Sequence, residues 1–266
     1  MKQIDLKGKK ALVTGGSQGI GSGICMELAA CGADVFINYF SNKEKAEILA
    51  KEIEATYNVK VSIGRADVSK ASEVKAMFKK MDTDIGTINI LVNNAGTESV
   101  EHVLDLDEEE WDRVLNINLK GPFLCAKEAA KRMENNDGGV IINISSIHDV
   151  VPRKGLIHYC SAKAGLKMFT KCLSLELAED NIRVVSVAPG AIETNMNREE
   201  INKFGREKFE NWIPSARIGN VTEVANTVAF LASDMADYIN GTDLYIDGAY
   251  MNHTIQYDPR PPRKSK

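Results

Sequence analysis

The 266-residue chain has few features of a disulfide-rich, metal-binding or membrane-spanning protein. Its five cysteines are odd in number and form no C-x-x-C pair, which argues against a disulfide framework and a zinc site. No apolar run approaches the roughly 20 residues that a membrane span needs, and no signal-peptide core follows the first ten residues. The net charge of -4 gives no reason to expect nucleic acid or a membrane surface as a partner. We therefore expect a cytoplasmic protein with reduced thiols and no bound metal.

Short apolar runs alternate with helical patterns along most of the chain. The predicted strands are Lys10–Thr14, Val35–Asn38, Val59–Ile63, Asn89–Val92, Val140–Ile144, Arg183–Val187 and Leu244–Asp247. The predicted helices are Ile24–Gly32, Ser41–Tyr57, Ser72–Met81, a long helix from an Asp107/Glu110 capping box to Met133, Tyr159–Glu179 and Thr222–Ser233. This order predicts one α/β domain of Rossmann type, a doubly wound parallel sheet in a three-layer α/β/α arrangement.

Two segments stand apart from the alternation. Residues 192–213 are polar with scattered apolar positions and follow a strand end, so we expect them to form a mobile lid on a domain that spans residues 1–256. Residues 257–266 are basic and rich in proline, and they are expected to form a tail.

The clearest chemical signal is the pair formed by Tyr159 and Lys163. Residues four apart in a helix share a face, so the phenol and the ammonium point into the same space. A free phenol titrates near ~10, and a nearby cation favours the phenolate, so we expect Lys163 to lower the pKa of Tyr159. The spacing therefore predicts proton transfer at an alcohol or a carbonyl.

A glycine-rich turn, Gly15 to Gly21, follows the first strand and opens a helix. Such a turn lets the backbone approach a pyrophosphate closely, while the helix N-terminus presents free N–H groups to it. The spacing T-G-x-x-x-G-x-G predicts a dinucleotide site, and a glycine turn without a ligand is the alternative while the motif stands alone.

Six motifs in order make the chain resemble the short-chain dehydrogenases/reductases, over almost its whole length. The motifs are T-G-x-x-x-G-x-G from Thr14 to Gly21, N-N-A-G from Asn93 to Gly96, Asn118, Ser146, Y-x-x-x-K from Tyr159 to Lys163, and Pro189-Gly190. The resemblance implies that Tyr159 is the general acid/base, and that Lys163 lowers its pKa and holds the nicotinamide ribose. It also implies that Ser146 binds the substrate oxygen and that Asn118 holds a water.

The resemblance further implies a nicotinamide dinucleotide as cofactor. The residues expected to bind it are Gly15, Ser17, Gln18, Gly19, Ile20, Gly21, Tyr39, Ser41, Asn42, Asp67, Val68, Asn94, Ala95, Gly96, Tyr159, Lys163, Pro189, Gly190, Ile192 and Thr194. Members that prefer NAD carry an acidic residue at the end of the second strand, where this chain has Tyr39. Nothing there repels a 2′-phosphate, and Ser41, Asn42 and Lys43 could bind one. NADP(H) is therefore favoured over NAD(H), and use of both stays open.

The substrate is less well determined than the reaction. The stretches around Ser146, Tyr159 and Pro189 are similar to those of bacterial glucose 1-dehydrogenases. For a sugar, the expected contacts are Glu98, Ser146, His148, Tyr159, Glu193 and Asn195.

Three alternatives to a sugar dehydrogenase stay open. The chain also resembles bacterial hydroxysteroid dehydrogenases, and the apolar residues expected to cover a bile acid are Met196, Phe204, Phe209 and Trp212. A 3-oxoacyl thioester is another possible substrate. A catalytically silent, dinucleotide-binding scaffold is the alternative from a different class, although neither the tyrosine nor the lysine is lost.

Assembly is also an expectation from the resemblance. The helices Glu108–Met133 and Tyr159–Glu179 build contacts between subunits in this family, and the last strand builds another. A homotetramer that acts on a small molecule is therefore expected.

Overall fold

A computed structural model of the chain describes residues 4–194, 198, 201–203 and 205–252. Within these residues one seven-stranded sheet runs in the order β3-β2-β1-β4-β5-β6-β7, and every neighbouring pair is parallel. The strands are β1 (Lys10–Val13), β2 (Asp34–Tyr39), β3 (Val61–Arg65), β4 (Ile90–Asn93), β5 (Gly139–Ile144), β6 (Ile182–Pro189) and β7 (Asp243–Ile246).

Helices cover both faces of this sheet, as its apolar strands require. They are α1 (Gly19–Ala30), α2 (Lys43–Thr56), α3 (Ala71–Asp84), α4 (Glu108–Leu115), α5 (Gly121–Met133), α6 (Ile157–Glu176), α7 (Arg206–Asn211) and α8 (Val221–Ala232). Successive residues of β1 serve opposite faces, because Ala11 and Val13 pack into one apolar cluster and Leu12 into the other. The predicted three-layer α/β/α domain of Rossmann type is confirmed.

The strand order reverses between β1 and β4, and this reversal places the ligand crevice. In open α/β sheets the crevice lies beyond the carboxyl ends of the strands at such a switch point. The turn after β1, the segment after β4 and the segment after β5 all begin at this edge of the sheet.

The predicted long helix to Met133 is interrupted. A π-helical turn, Asn116–Lys120, separates α4 from α5. Asp107 caps α4 as predicted, since its carboxylate accepts from the Glu110 N–H at 2.7 Å. The reciprocal half of the capping box is missing, because the Glu110 carboxylate binds the Arg113 guanidinium and the Ser99 hydroxyl instead.

Part of the segment predicted as a lid is ordered by an apolar contact. Ile201, Ile213 and Ile218 form a small buried cluster beside α7. Asn195, Met196, Phe204 and the predicted tail 257–266 lie outside the described residues. No helix in the described part of the chain is long and apolar enough to cross a membrane.

Candidate active site

A cleft of about 990 Å³ opens at the carboxyl edge of the sheet. Every residue predicted for catalysis or for cofactor binding lines it, as do Glu98 and His148 from the predicted substrate contacts. The cleft thus brings together segments that follow all seven strands of the sheet. The roles of these residues stay predictions.

Tyr159 and Lys163 lie on one face of α6, as their spacing predicts. The Lys163 ammonium is 5.5 Å from the centroid of the Tyr159 ring, and it donates a hydrogen bond to the Ile144 carbonyl at 2.8 Å. Because Ile144 is the last residue of β5, this bond fixes the lysine to the edge where Ser145 and Ser146 begin. The helix and the strand end therefore hold the proposed reacting groups in one place.

The pKa of Tyr159 is raised, which corrects the expectation that Lys163 lowers it. Burial is the largest cause, since it disfavours the phenolate, and the Glu98 carboxylate raises the pKa further. A hydrogen bond with the Ser146 side chain acts in the opposite direction but is outweighed. In the free protein the Tyr159 phenol is therefore protonated at neutral pH.

Lys163 is also strongly affected by its surroundings. Its side chain is buried, and this burial lowers its pKa to about 8, although the carboxylates of Glu98 and Asp149 act to raise it. Lys163 therefore loses its proton more readily than an exposed lysine does. Of the two carboxylates that stabilise its charged form, Glu98 has the larger effect.

Asn118 fixes the segment that follows β4. Its amide nitrogen donates to the Thr97 carbonyl at 2.7 Å and to the Val114 carbonyl at 2.9 Å, and its oxygen accepts from the Thr97 N–H at 3.3 Å. Because its side-chain amide is occupied in this way inside the π-helical turn, Asn118 orients the Thr97 backbone at the cleft. The water predicted at Asn118 stays a prediction.

A polar network beside Tyr159 was missed at the sequence level. His158 is fully buried, and its Nε2 lies 2.9 Å from the Ser99 hydroxyl, which in turn donates to Glu110. Hydrogen bonds from Arg113 and Ser99 lower the pKa of Glu110 to about 2. The sequence gave no sign of the bonds that Ser99 makes, because Glu110 is 11 positions and His158 is 59 positions away from it.

The glycine turn is closely packed and depends on its glycines. Gly15 and Gly19 have φ values of 60° and 56°, in the left-handed region that favours glycine. A Cβ at Gly21 would collide with the Gly15 carbonyl oxygen and lie 2.5 Å from Nδ2 of Asn94. The turn and the N-terminus of α1 therefore form a cradle that fits a pyrophosphate.

A side chain from β2 and one from the segment after β4 brace this turn. The Asn38 carboxamide oxygen accepts from the Gly15 N–H at 3.1 Å, and the Asn94 amide donates to the carbonyls of Thr14 and Gly15. Asn38 was predicted only as a strand residue. An asparagine at the end of an apolar strand is the signal that could have identified it.

The glycine turn is bound by a cation that the sequence interpretation did not name. The ammonium of Lys45, in α2, donates to Oε1 of Gln18 in the glycine turn at 3.0 Å. Lys43, which was predicted to reach the ribose end of the cleft, pairs instead with Glu47 at 3.0 Å on the exposed face of α2. Tyr39 occupies the end of β2, as predicted, and it lines the cleft.

Asp67 lies at the predicted adenine end, where it organises its own loop. Burial acts to raise the pKa of its carboxyl, but hydrogen bonds from Ser69 and the charge of Lys70 outweigh burial and lower it. The Ser69 hydroxyl donates to Oδ1 of Asp67 at 2.6 Å. Asp67 is therefore ionised, and its carboxylate stabilises the turn that bounds the cleft.

The substrate end of the cleft is only partly as predicted. The rings of His148 and Tyr159 meet edge to face with centroids 6.3 Å apart, and Nδ1 of His148 lies 2.8 Å from the Val151 carbonyl. Glu193 is a correction, because its exposed carboxylate is bound by Arg206 at 2.5 Å and does not line the cleft. Phe209 and Trp212 do line it, with ring centroids 5.5 Å apart.

Comparison with known proteins agrees with this geometry. The family model described as enoyl-(acyl carrier protein) reductase matches residues 15–251. The chain is 42% identical over 240 residues to the 3-oxoacyl-[acyl-carrier-protein] reductase FabG of Staphylococcus aureus, covering 90% of this chain and 97% of that relative.

Solved structures give the same result. A gluconate 5-dehydrogenase from Burkholderia cenocepacia, in complex with NADP and tartrate, has a TM-score of 0.88 at 31% identity, covering 94% of this chain and 97% of that one. An acetoin dehydrogenase from Salmonella typhimurium has a TM-score of 0.86 at 35% identity, covering 94% and 98%. The chain belongs to the short-chain dehydrogenase/reductase family and is an NAD(P)-dependent oxidoreductase that acts on an alcohol or a carbonyl group.

Proposed function

We propose that the protein is a carbonyl reductase that uses NADPH and that its substrate is a 3-oxoacyl thioester. The observation that carries the substrate class is the 42% identity, over 90% of the chain, with a reductase named for such a substrate. This proposal takes one of the alternatives left open by the sequence and prefers it to the glucose 1-dehydrogenase that was the first expectation.

Tyr159 is a suitable proton donor for reduction. A reductase needs a proton donor next to the carbonyl oxygen, and the Tyr159 phenol lies in the cleft beside Ser146 and is protonated at neutral pH. The Ser146 hydroxyl would donate a second hydrogen bond to the same oxygen, which stabilises the negative charge that develops there. Once Tyr159 has given up its proton, the Lys163 ammonium would stabilise the phenolate that remains.

The residues around the glycine turn fit a nicotinamide dinucleotide. Gly15 and Gly21 let the turn pack closely against Ala95 and Asn94, and Gly19 leaves space beside the N-terminus of α1 for the pyrophosphate. Lys45 and Gln18 would meet a 2′-phosphate at the ribose end. Bound NADP(H) would supply the hydride. The part of the protein is to orient the two reactants and to manage the proton.

A sugar or another polyol is the second candidate. The Glu98 carboxylate lies near enough to raise the pKa values of both Tyr159 and Lys163. A carboxylate at that position could accept hydrogen bonds from substrate hydroxyls, which a simple acyl chain does not offer. The gluconate 5-dehydrogenase relative points in the same direction.

A direct comparison of substrates tests the proposal. Acetoacetyl-coenzyme A with NADPH should give a kcat/KM at least about tenfold above that for glucose or gluconate with NADP, measured by absorbance at 340 nm. Faster turnover of glucose or gluconate would replace the proposed substrate by the second candidate. Binding of NADPH without turnover of any of these would favour the silent scaffold over both.

Replacing Tyr39 by aspartate should shift cofactor preference from NADP toward NAD by about tenfold or more, because a carboxylate there repels a 2′-phosphate. Lys45→Ala should weaken the binding of NADPH more than that of NADH, since it removes the cation beside Gln18. Lys43→Ala is the matched control, because that ammonium pairs with Glu47 instead. Dissociation constants from nucleotide fluorescence measure all three variants, and equal losses in the two lysine variants would contradict the assignment.

We also propose that the protein assembles as a homotetramer in the cytoplasm. Helices α5 and α6 expose an apolar face, with Phe123 44%, Met168 60% and Leu175 80% exposed. Combining Met168→Glu with Leu175→Glu should reduce the particle mass measured by light scattering. Ile48→Glu on α2 is the control, since Ile48 is 59% exposed on another face. A monomeric unmodified protein would contradict the proposal.

A further inference from the structure

Behind the wall of the cleft lies a cluster of charged and phenolic side chains that the proposed reaction does not use. None of its members lines the cleft. The cluster, called the Asp149 cluster below, consists of Asp149, Lys167, Lys171, Asp243 and Tyr245.

The Asp149 carboxylate at its centre is fully shielded from solvent and is held by three separate elements. Its Oδ2 accepts from the Ser145 hydroxyl, at the end of β5, at 3.0 Å. Its Oδ1 accepts from the Tyr245 hydroxyl, in β7, at 2.9 Å. The Lys167 ammonium of α6 lies 3.8 Å from the same oxygen and donates to the Tyr245 hydroxyl at 2.5 Å.

The backbone of Asp149 also closes the turn that carries Ser146. The Asp149 N–H donates to the Ser146 carbonyl at 3.0 Å, and the Ser146 hydroxyl oxygen accepts from the His148 N–H at 3.2 Å. A change in the position of Asp149 would therefore also change the position of Ser146, because the two residues belong to one hydrogen-bonded turn. Asp149 therefore contacts both serines, Ser145 through its carboxylate and Ser146 through its backbone N–H.

Stability alone does not account for such a cluster. A buried ion pair or network is often no more stabilising than apolar side chains of the same volume, because desolvation offsets the attraction. The cluster does tie the turn to α6 and β7, which the hydrogen bonds within the turn do not. Its location immediately behind Ser146 is where a fixed direction has a chemical use.

We propose that Asp149, anchored by Tyr245 and Lys167, is a positioning residue that holds Ser146 against the substrate oxygen, so that the last strand contributes to the active site. This inference rests on the roles proposed above for Ser146 and Tyr159. Asp149 touches neither the cleft nor the reacting groups, and it acts through the turn that it closes.

The charge of Asp149 adds an effect that a purely structural residue would not have. Burial is the largest influence on Tyr159 and Lys163, raising the pKa of the first and lowering that of the second. The charged or titratable groups that act on the phenol are Glu98 from the segment after β4, Cys160 from α6, and Asp149; Lys163 lies over its ring. Because the Asp149 carboxylate helps to raise the pKa of Tyr159, removing its charge should lower that pKa.

The test compares Asp149→Asn with Tyr245→Phe, using acetoacetyl-coenzyme A and NADPH or the best substrate from the comparison above. Asp149→Asn should lower kcat roughly 10- to 100-fold, because a displaced Ser146 costs transition-state contacts. It should also move the alkaline fall of the pH–rate profile to lower pH, because the carboxylate that helps to raise the pKa of Tyr159 is gone. Tyr245→Phe keeps the carboxylate but loosens its anchor, so kcat should fall while the alkaline limb stays in place.

A readout without substrate separates this inference from the proposed function. Ultraviolet titration of the Tyr159 phenol, taken as the difference from the same protein with Tyr159→Phe, should show ionisation at lower pH in Asp149→Asn. Wild-type kcat with an unmoved titration in folded Asp149→Asn would overturn the inference. If that variant does not fold, an unchanged kcat in Tyr245→Phe overturns it instead. Turnover in Tyr159→Phe would refute the proposed role of Tyr159, whatever Asp149 does.

Discussion

Replacing Tyr159 by phenylalanine is expected to lower kcat by about 10²- to 10⁴-fold, the range that a positioned general acid contributes. The variant removes the transferable proton and leaves the ring, which packs against His148 and beneath Lys163. Binding of NADPH should therefore change by no more than about twofold or threefold. Steady-state oxidation of NADPH and fluorescence titration of the nucleotide measure the two quantities separately.

The control for this variant is Tyr238→Phe, since Tyr238 is fully exposed at the surface. It should keep full turnover. A Tyr159→Phe protein that keeps more than about a tenth of the wild-type kcat would exclude the phenol as the proton donor. A loss of NADPH binding equal to the loss of kcat would instead mean that the phenol serves the cofactor site.

The second large effect is expected from Gly21→Ala. The new Cβ would meet the Gly15 carbonyl oxygen and the Asn94 amide, which are backbone or firmly held groups that cannot move aside cheaply. The glycine turn should open, and NADPH affinity should fall by more than about tenfold. Strain of this kind costs about 1–3 kcal/mol of folding stability, so the melting temperature should fall as well.

Ser22→Ala is the matched control, because it places alanine at the next position of α1. Its loss is a single hydrogen bond to the Gly19 carbonyl, at 2.9 Å. This variant should bind NADPH with nearly unchanged affinity. If Gly21→Ala binds NADPH as well as Ser22→Ala does, the cofactor is not cradled by this turn.

The alternation of strands and helices could be predicted because it depends on local patterns. Each apolar run between glycines had to be a buried strand, and a chain of βα units has few alternatives to a parallel sheet. Tyr159 and Lys163 share a face for the same local reason, since four residues make about one helical turn. These parts of the fold and site needed no knowledge of distant contacts.

The pKa of Tyr159 could not be predicted from its neighbour Lys163. It depends on how far the rest of the chain removes water from the phenol, and on Glu98, which is 61 positions away in the sequence. The spacing of two residues in a helix predicts that their side chains share a face, but it does not predict how far those side chains are shielded from water. For the same reason the sequence did not predict the bond between Lys45 and Gln18, which are 27 positions apart. It also did not predict that Arg206 binds the Glu193 carboxylate.

The substrate is hard to predict for a related reason. The reaction needs a few groups in fixed geometry, whereas the substrate is selected by a wall assembled from distant segments. Glu98, His148 and Trp212 line the same cleft although they come from three separate parts of the chain. The relatives also carry names for different substrates, an acyl thioester in one case and gluconate in another.

The measurement that tests the central claim most directly is isotope transfer from reduced cofactor to product. NADPH carrying deuterium at both C4 positions of the nicotinamide is incubated with acetoacetyl-coenzyme A, or with the best carbonyl substrate found, and the product is examined by mass spectrometry. A 3-hydroxyacyl product with one deuterium on the carbinol carbon is predicted, formed by the wild-type protein and not by Tyr159→Phe. Product without deuterium, or equal product from both proteins, would contradict hydride transfer with Tyr159 as the proton donor.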